Sequence, residues 1–253
     1  TNSSWVDHGA YQQAMKYNPT MPVYAEPSDP NYVKYGGYYQ NFDKSGFSNP
    51  VAMVMQPTDD GGDQTFLGSV RATIKPIAGL RISAFGSYQY WNRSTGKYLP
   101  SNSVAGNGTG GQAYKSNDFN TTRMFEATAQ YTNEIQSHAF TVLAGYAYQD
   151  FVSESFNGSN TQFATDDFLY NNLGLGEGIN NLTNGGSKDG IGISSWKEEW
   201  KLASVFGRIN YNYDQRYFIN ASIRAEGSSK FGANNRWGYF PAVSASWLIT
   251  RES

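Results

Sequence analysis

The segment that decides the fold is ASVFGRINYNY at residues 203–213, followed after a short turn by YFINASIRAE at residues 217–226. In both segments an apolar residue or glycine occupies every second position, and Ser, Asn, Arg or Glu fills most positions between. Successive side chains of a β-strand point to opposite faces of a sheet. The alternation therefore predicts two strands, each with one apolar and one polar face. The turn at Asp214 and Gln215 joins them into a β-hairpin.

Five other segments show the same alternation and raise the number of predicted strands to seven. They are residues 64–74, 80–90, 123–132, 140–149 and 237–250. The connections are alternately short and long, and the long polar loops are expected at about 92–120 and 157–195. Transmembrane β-barrels have short periplasmic turns and longer extracellular loops. Strands of about ten residues also match the length that a tilted strand needs to cross a bilayer.

These patterns predict an all-β fold, part of an antiparallel transmembrane β-barrel, with its strands in residues 63–253. Residues 1–62 contain six of the nine prolines and no sustained periodicity, so we interpret them as an extracellular loop region. A short helix is expected at residues 7–17, with Asp7 as its N-cap. No signal peptide opens the sequence and no closing strand follows residue 250, so we expect both ends to be cut from a longer protein.

The composition agrees with a sheet between lipid and water. Charged residues make up 16% of the chain, against about 25% in a typical globular protein. The mean hydropathy is nevertheless −0.58, because Ser, Thr, Asn, Gly and Tyr take the place of the charges. A soluble β-sandwich that binds glycans could have a similar composition, and its apolar face would then meet a second sheet. A passive porin would show the same alternation of short and long connections between strands, so the β-sandwich and the porin both stay open as alternatives.

Several other functions are disfavoured by what the sequence lacks. A net charge of −2 offers no basic field for nucleic acid. The chain contains no cysteine and two histidines, His8 and His138, which excludes thiolate and multi-histidine metal centres. No apolar run approaches the twenty residues of a transmembrane helix. No arrangement of nucleophile and base is recognisable, and we expect no enzyme.

The C-terminal third resembles a known family of membrane proteins. The motifs are FGRINYNY at 206–213, RY at 216–217, ASIRAEGSSKFG at 221–232 and NRWGYFPAVSASW at 235–247. Their order is similar to that in the barrels of SusC/RagA family TonB-dependent outer-membrane transporters. NPTMPVY at 18–24 and NPVA at 49–52 resemble signatures of the same family in a loop nearer the N-terminus.

The resemblance implies a nutrient importer in the outer membrane of a Gram-negative bacterium. It implies a barrel of about twenty-two strands, of which this chain would supply about seven, and a plug domain that this sequence does not contain. It also implies three partners: a SusD-like surface lipoprotein acting as a lid, the TonB complex, which would bind through the missing N-terminal part, and the lipid bilayer. Oligosaccharides are the expected cargo, with oligopeptides as the second possibility.

Exposed loop aromatics are the candidate cargo-binding residues, because sugar rings stack on flat aromatic faces. They are Tyr24, Tyr38, Tyr39, Trp91, Tyr98 and Trp196. For any single one of them, packing of the loop or contact with the lid is the competing interpretation. Asp59, Asp60 and Asp63 are weak candidate ligands for Ca²⁺, since their spacing does not match an EF-hand. No other cofactor is expected.

Overall fold

The computed structural model describes residues 9–40, 48–104, 106, 109–178 and 192–252. The chain forms two compact units. Unit 1 comprises Thr1–Asp63, Asn92–Asp118 and Ser155–Trp196, and unit 2 comprises Gln64–Trp91, Phe119–Glu154 and Lys197–Ser253. Within the described residues, no helix is long and apolar enough to cross a membrane.

Seven strands form one antiparallel sheet, in which they follow their order in the chain. They are β1 (Thr58–Ile74), β2 (Leu80–Leu99), β3 (Gln112–Ile135), β4 (His138–Thr161), β5 (Gly192–Tyr213), β6 (Tyr217–Ser228) and β7 (Trp237–Trp247). Each strand pairs with the next, and Tyr213 lies opposite Tyr217 across the turn at Asp214 and Gln215. The seven strands and the alternation of short and long connections are as the sequence predicted.

Strands β1 to β6 are longer than predicted, whereas β7 ends at Trp247 and is shorter than the predicted 237–250. The predicted long loops are correspondingly shorter. β2 continues to Leu99 and β3 begins at Gln112, so the two strands take up most of the loop predicted at 92–120. β4 extends to Thr161 and β5 begins at Gly192, so both strands enter the loop predicted at 157–195. The added segments are mostly polar, and their few apolar residues do not alternate regularly. Hydrophobic alternation therefore stops where the apolar band stops, although backbone pairing continues beyond it.

The apolar face of the sheet in unit 2 is exposed. Val70 is 70% exposed and Val243 is 78% exposed, and Ile209 and Ile223 are more than half exposed. Every buried apolar side chain among the described residues lies in unit 1. No described residue forms a second sheet over this face, as a β-sandwich would require. An extended apolar face of this kind agrees with the predicted transmembrane barrel, whose outer surface would meet lipid.

Two turns show how the short connections are made. Gly79, between β1 and β2, has a φ of 79°, a left-handed conformation that glycine adopts without strain. A Cβ at this position would lie 2.3 Å from the carbonyl oxygen of Thr132, so glycine is also required for close packing against β3. Asp214 and Gln215 have φ values of 50° and 53°, which reverse the chain between β5 and β6.

Unit 1 has its own small core and two short helices. Helix α1 spans Ala10–Lys16 and helix α2 spans Pro50–Met55. The predicted N-cap of the first helix, Asp7, lies outside the described residues. Tyr98, Ala113 and Phe163 form a buried cluster, which Leu169, Tyr170 and Leu173 partly cover. Residues 1–62 were interpreted as a loop region with one short helix, and helix α2 and the first residues of β1 also fall within them.

Candidate binding surface in unit 1

Two of the predicted aromatic residues, Tyr24 and Tyr38, lie side by side. Their backbones form an isolated antiparallel bridge, and their ring centroids are 5.4 Å apart with the planes tilted by 39°. Gly36 and Gly37, with φ values of 60° and 85°, turn the chain so that Tyr38 returns to Tyr24. Tyr24 is 65% exposed. The pair therefore presents an accessible aromatic surface, which sequence position alone did not reveal.

The fully buried Asn49 holds the bridge in place. Its Nδ2 donates to the carbonyl oxygens of Val23, at 2.7 Å, and Tyr39, at 3.0 Å, one residue from each tyrosine of the pair. Its Oδ1 accepts from the N–H groups of Val51 and Ala52 and thereby caps helix α2. Asn49 therefore uses both ends of its amide to join α2 to the two strands of the bridge. This side chain positions the aromatic surface and would not itself contact a ligand.

Gln56 makes a second tie from the C-terminal end of α2. Its Nε2 donates to the carbonyl oxygens of Tyr35, at 3.0 Å, and Asn102, at 3.3 Å. Its Oε1 accepts from the N–H of Val104 at 3.0 Å. One amide thus connects the turn that precedes Tyr38 to the connection between β2 and β3. The segments around the tyrosine pair are consequently fixed from two sides.

Tyr98 is placed differently from the other predicted binding residues. It is completely buried, and its ring packs edge-on against Phe163 with centroids 5.7 Å apart. Its hydroxyl donates to Oδ1 of Asp166 at 2.6 Å. Burial and this hydrogen bond raise the pKa of Tyr98 above the usual value. Its ring faces are covered, so the prediction that Tyr98 offers a stacking surface is wrong, and the residue belongs to the core of unit 1.

The remaining predicted aromatics are not gathered into one cluster by the described contacts. Tyr39 follows the bridge and is half-buried. Trp196 lies in β5 and is 52% exposed. Trp91 belongs to unit 2, in β2, on the face opposite that of Tyr88 and Tyr90. Of the six predicted residues, the structure brings Tyr24 and Tyr38 together, with Tyr39 adjacent in the chain.

The three carboxylates considered for Ca²⁺ each have a separate partner. Asp59 accepts from Lys97 at 3.0 Å, and Asp63 makes two 2.8 Å contacts with Arg93. Asp60 accepts from the hydroxyl of Tyr170 at 2.8 Å, which raises the pKa of that tyrosine. In the part of the chain that is described, no group of three or more His, Cys, Asp or Glu side chains is placed to hold a metal ion. A Ca²⁺ site at these residues stays an untested prediction.

The residues that organise the surface were not singled out by sequence reasoning. Asn49 followed by Pro50 is a helix-start signal. The same two residues open the motif NPVA at 49–52, which resembles a signature of the family. Gln56 and Asp166 carry no local signal, because their partners lie far away in the chain. Asp166 accepts from Tyr98 and from both the N–H and the hydroxyl of Ser101. Only the folded chain shows this arrangement.

Comparison with known proteins identifies relatives of the chain. No family model matches it. It is 30% identical over 261 residues to TonB-dependent receptor P26 of Formosa agariphila, covering 99% of this chain and 24% of that protein. It is 29% identical over 218 residues to TonB-dependent receptor P3 of the same organism, covering 86% and 21%. It is 27% identical over 266 residues to TonB-dependent receptor SusC of Bacteroides thetaiotaomicron, covering 95% and 24%.

A solved structure shares the fold. The RagAB peptide transporter superposes with a TM-score of 0.72 at 22% identity, over 85% of this chain and 23% of that one. The chain thus spans between a fifth and a quarter of the length of the proteins it matches. These matches confirm the resemblance to SusC/RagA TonB-dependent transporters and the assignment of the sheet as a section of such a barrel.

Proposed function

We propose that this chain, a section of a SusC/RagA-type TonB-dependent barrel, forms part of the wall and outer loops of a nutrient importer in the outer membrane of a Gram-negative bacterium. One coincidence carries the proposal. The sequence match to TonB-dependent receptor P26 covers 99% of the chain and so includes the exposed apolar face of unit 2. The function is transport, and the chain supplies structure and recognition but no catalysis.

The cargo we propose is an oligosaccharide. An exposed, rigidly held aromatic pair offers flat faces for sugar rings, and the polar loops around it provide partners for hydroxyl groups. Tyr24 and Tyr38 are the primary contacts, and Tyr39 and Trp196 are further candidates. An oligopeptide is the second candidate, since the structural relative is described as a peptide transporter.

We further propose that the whole protein works with a SusD-like lipoprotein lid and the TonB complex. In this scheme cargo is captured at the outer loops beneath the lid. TonB, acting through the plug domain of the whole protein, then drives passage. Import requires that the cargo bind more tightly to the closed state than to the open state, because a ligand shifts an equilibrium only by its differential affinity.

Purification of the full-length protein from outer membranes in mild detergent tests the assembly. We expect mass spectrometry to find a stoichiometric surface lipoprotein together with the barrel. A barrel purified alone, without such a lipoprotein, would contradict the lidded importer. If ion conductance without TonB energy were also measured, the passive porin would be the better description.

Calorimetry with a panel of oligosaccharides and oligopeptides tests the cargo. We expect the Tyr24→Ala and Tyr38→Ala variants of the full-length protein to lose roughly tenfold or more in affinity for the best ligand, because each removes one stacking face. Tyr11→Ala is the matched control, since Tyr11 is an exposed tyrosine on α1 in the same unit. Equal losses in all three variants would show that the pair has no special role.

A further inference from the structure

A charged cavity of about 430 Å³ lies on unit 2 between β3, β4 and β5. Three cationic and three anionic side chains line it: Arg123, Lys197, Lys201, Asp150, Glu154 and Glu199. The importer proposed above has no use for such a cluster within its wall. The position of the cavity on the sheet indicates what it binds.

The cavity opens on the same face of the sheet as the lipid-facing side chains. On β3 the apolar face is formed by Phe125 and every second residue after it. Arg123 lies two residues before Phe125 and therefore points to the same face. The register is unbroken along this pair of strands. Thr132 contacts Thr141 at one end, Arg123 lies opposite Asp150 near the other, and the Ser153 hydroxyl donates to Asn120 beyond it. The charged residues are therefore on the outer face.

The β4–β5 pair gives the same result. Phe151 stacks on Trp200 at 5.2 Å, and Lys197 contacts Glu154 at 2.9 Å, which sets the register of these strands. Lys201 consequently lies opposite Asp150. One row across the three strands consists of Arg123, Asp150 and Lys201. It lies directly beyond the last uncharged row, which consists of Phe125, Tyr148 and Ala203. In a membrane this row lies where the apolar band ends, at the level of the lipid headgroups.

The ion pairs within the cavity differ in length. Lys197 is satisfied by Glu154, at 2.9 Å, and Glu199, at 2.8 Å. The Arg123–Asp150 contact is long, 3.8 Å between Nη1 and Oδ2, and Oδ1 of Asp150 is buried without a hydrogen-bond partner. Lys201 makes no ion pair within the described residues. The row nearest the lipid therefore holds a lysine without an ion pair among the described residues, an arginine with one long ion pair, and a buried carboxylate oxygen without a hydrogen-bond donor.

We propose that this row binds the phosphorylated headgroup of an outer-leaflet lipid together with a divalent cation. Arg123 and Lys201 hold the phosphate, and Oδ1 of Asp150 holds the cation that bridges to it. The six side chains carry no net charge, so they have little attraction for a lone anion. A phosphate–cation pair keeps the cavity neutral and satisfies the unpaired carboxylate oxygen. Because the apolar face continues directly below, the acyl chains of the same lipid have a surface to lie on. The inference rests on the membrane placement of the proposed function.

The test uses the full-length protein reconstituted in nanodiscs with Mg²⁺ and with either lipid A or dephosphorylated lipid A of the same acyl composition. Native mass spectrometry after release from the nanodisc measures the lipid that is retained. We expect roughly tenfold or greater preference for the phosphorylated form. The preference should be lost in the R123Q/K201Q and D150N variants and when EDTA replaces Mg²⁺. Lys230→Gln is the control, because Lys230 pairs with Glu198 and lies over Trp200, away from this row.

Each contrary outcome has a distinct meaning. Retention of the preference in R123Q/K201Q, or an equal loss in K230Q, would overturn the proposal. Competition by inorganic phosphate at the same concentration as lipid A would show an anion site that does not recognise lipid. A change of oligomeric state without a change of lipid retention would identify a protein contact instead. Failure of the protein to insert into membranes would count against the proposed function, whereas normal insertion without a lipid preference would count only against this site.

Discussion

The hydroxyl of Tyr98 donates to Oδ1 of Asp166 across 2.6 Å and joins two residues that are 68 positions apart in the chain. The same carboxylate accepts from the N–H of Ser101, at 3.0 Å, and from its hydroxyl, at 2.9 Å. One aspartate thereby fixes the start of the connection after β2 to the connection after β4, beside the small core of unit 1.

Replacing Asp166 with alanine should loosen unit 1. The variant leaves the buried hydroxyl of Tyr98 and the N–H of Ser101 without their acceptor, and an unsatisfied buried group costs about 1–3 kcal/mol. Hydrogen exchange of the full-length protein should show faster exchange in residues 98–111 and little change in unit 2. The neighbouring Asp167→Ala is the control, because Asp167 accepts only from Thr165 among the described side chains. Similar exchange in both variants would contradict the role assigned to Asp166.

Replacing Asn49 with alanine should disorder the Tyr24–Tyr38 pair. The variant removes the cap of α2, worth about 1 kcal/mol, and takes the Asn49 donor away from the carbonyl oxygens of Val23 and Tyr39. The carbonyl of Val23 keeps only the N–H of Tyr39, at 3.1 Å. We expect weaker binding of the cargo with no loss of membrane insertion. Asn49→Asp separates the two roles, since a carboxylate can still cap the helix but cannot donate to the carbonyls. If Asn49→Asp bound cargo normally, the amide donors would not be what positions the tyrosines.

Gly145→Ala should destabilise the sheet of unit 2. A Cβ on Gly145 would lie 2.3 Å from the ring of Phe206, which covers the glycine from the neighbouring strand β5. Overpacking of this kind costs about 1–3 kcal/mol. Urea unfolding of the full-length protein in detergent measures the loss. Gly207→Ala is the control, because its Cβ would meet its nearest neighbour at 3.6 Å. The double variant G145A/F206A should recover part of the loss, and no recovery would exclude the ring as the cause.

A charge on the apolar face should be far more harmful than one on the polar face. Val243→Lys places an ammonium on the exposed apolar face of β7, at a cost of about 2–4 kcal/mol if the position is near the middle of the bilayer. Ser244→Lys places the same charge one residue along on the opposite face, where Ser244 accepts from Asn220 at 3.3 Å. Folding yield into lipid vesicles compares the two variants. Equal yields would mean that this face does not meet lipid.

Alkaline pH should weaken unit 1 through Tyr98. Its pKa is raised in the folded chain, so folding favours the protonated phenol. The stabilisation is therefore complete below the ordinary tyrosine pKa of 10.0 and is lost as the pH rises through the folded value. Limited proteolysis in residues 100–104 and 162–178 of the full-length protein should accelerate above about pH 10. In Tyr98→Phe cleavage should be faster at neutral pH and less dependent on alkaline pH, and an unchanged pH dependence would contradict this origin.

The apolar band was accessible to sequence reasoning because it follows a local rule. In segments such as 203–213 every second residue must suit lipid, and this constraint is written in consecutive positions. The same rule failed in residues 92–99 and 112–122, where most residues are polar and the regular alternation of apolar and polar residues disappears. Residue type and loop position select the accessible Tyr24 and Tyr38 but also the buried Tyr98, because neither criterion shows which side chains the fold covers.

The seven strands, their alternately short and long connections, the apolar face and the family resemblance can all be read from the amino-acid sequence. All of these depend on period, composition and consecutive motifs. The tertiary structure decided the length of the strands, the pairing of Tyr24 with Tyr38, the ties made by Asn49, Gln56 and Asp166, and the row of Arg123, Asp150 and Lys201. Each of these depends on contacts between residues distant in the chain, and hydrogen bonds between such residues leave no periodic signal in the sequence.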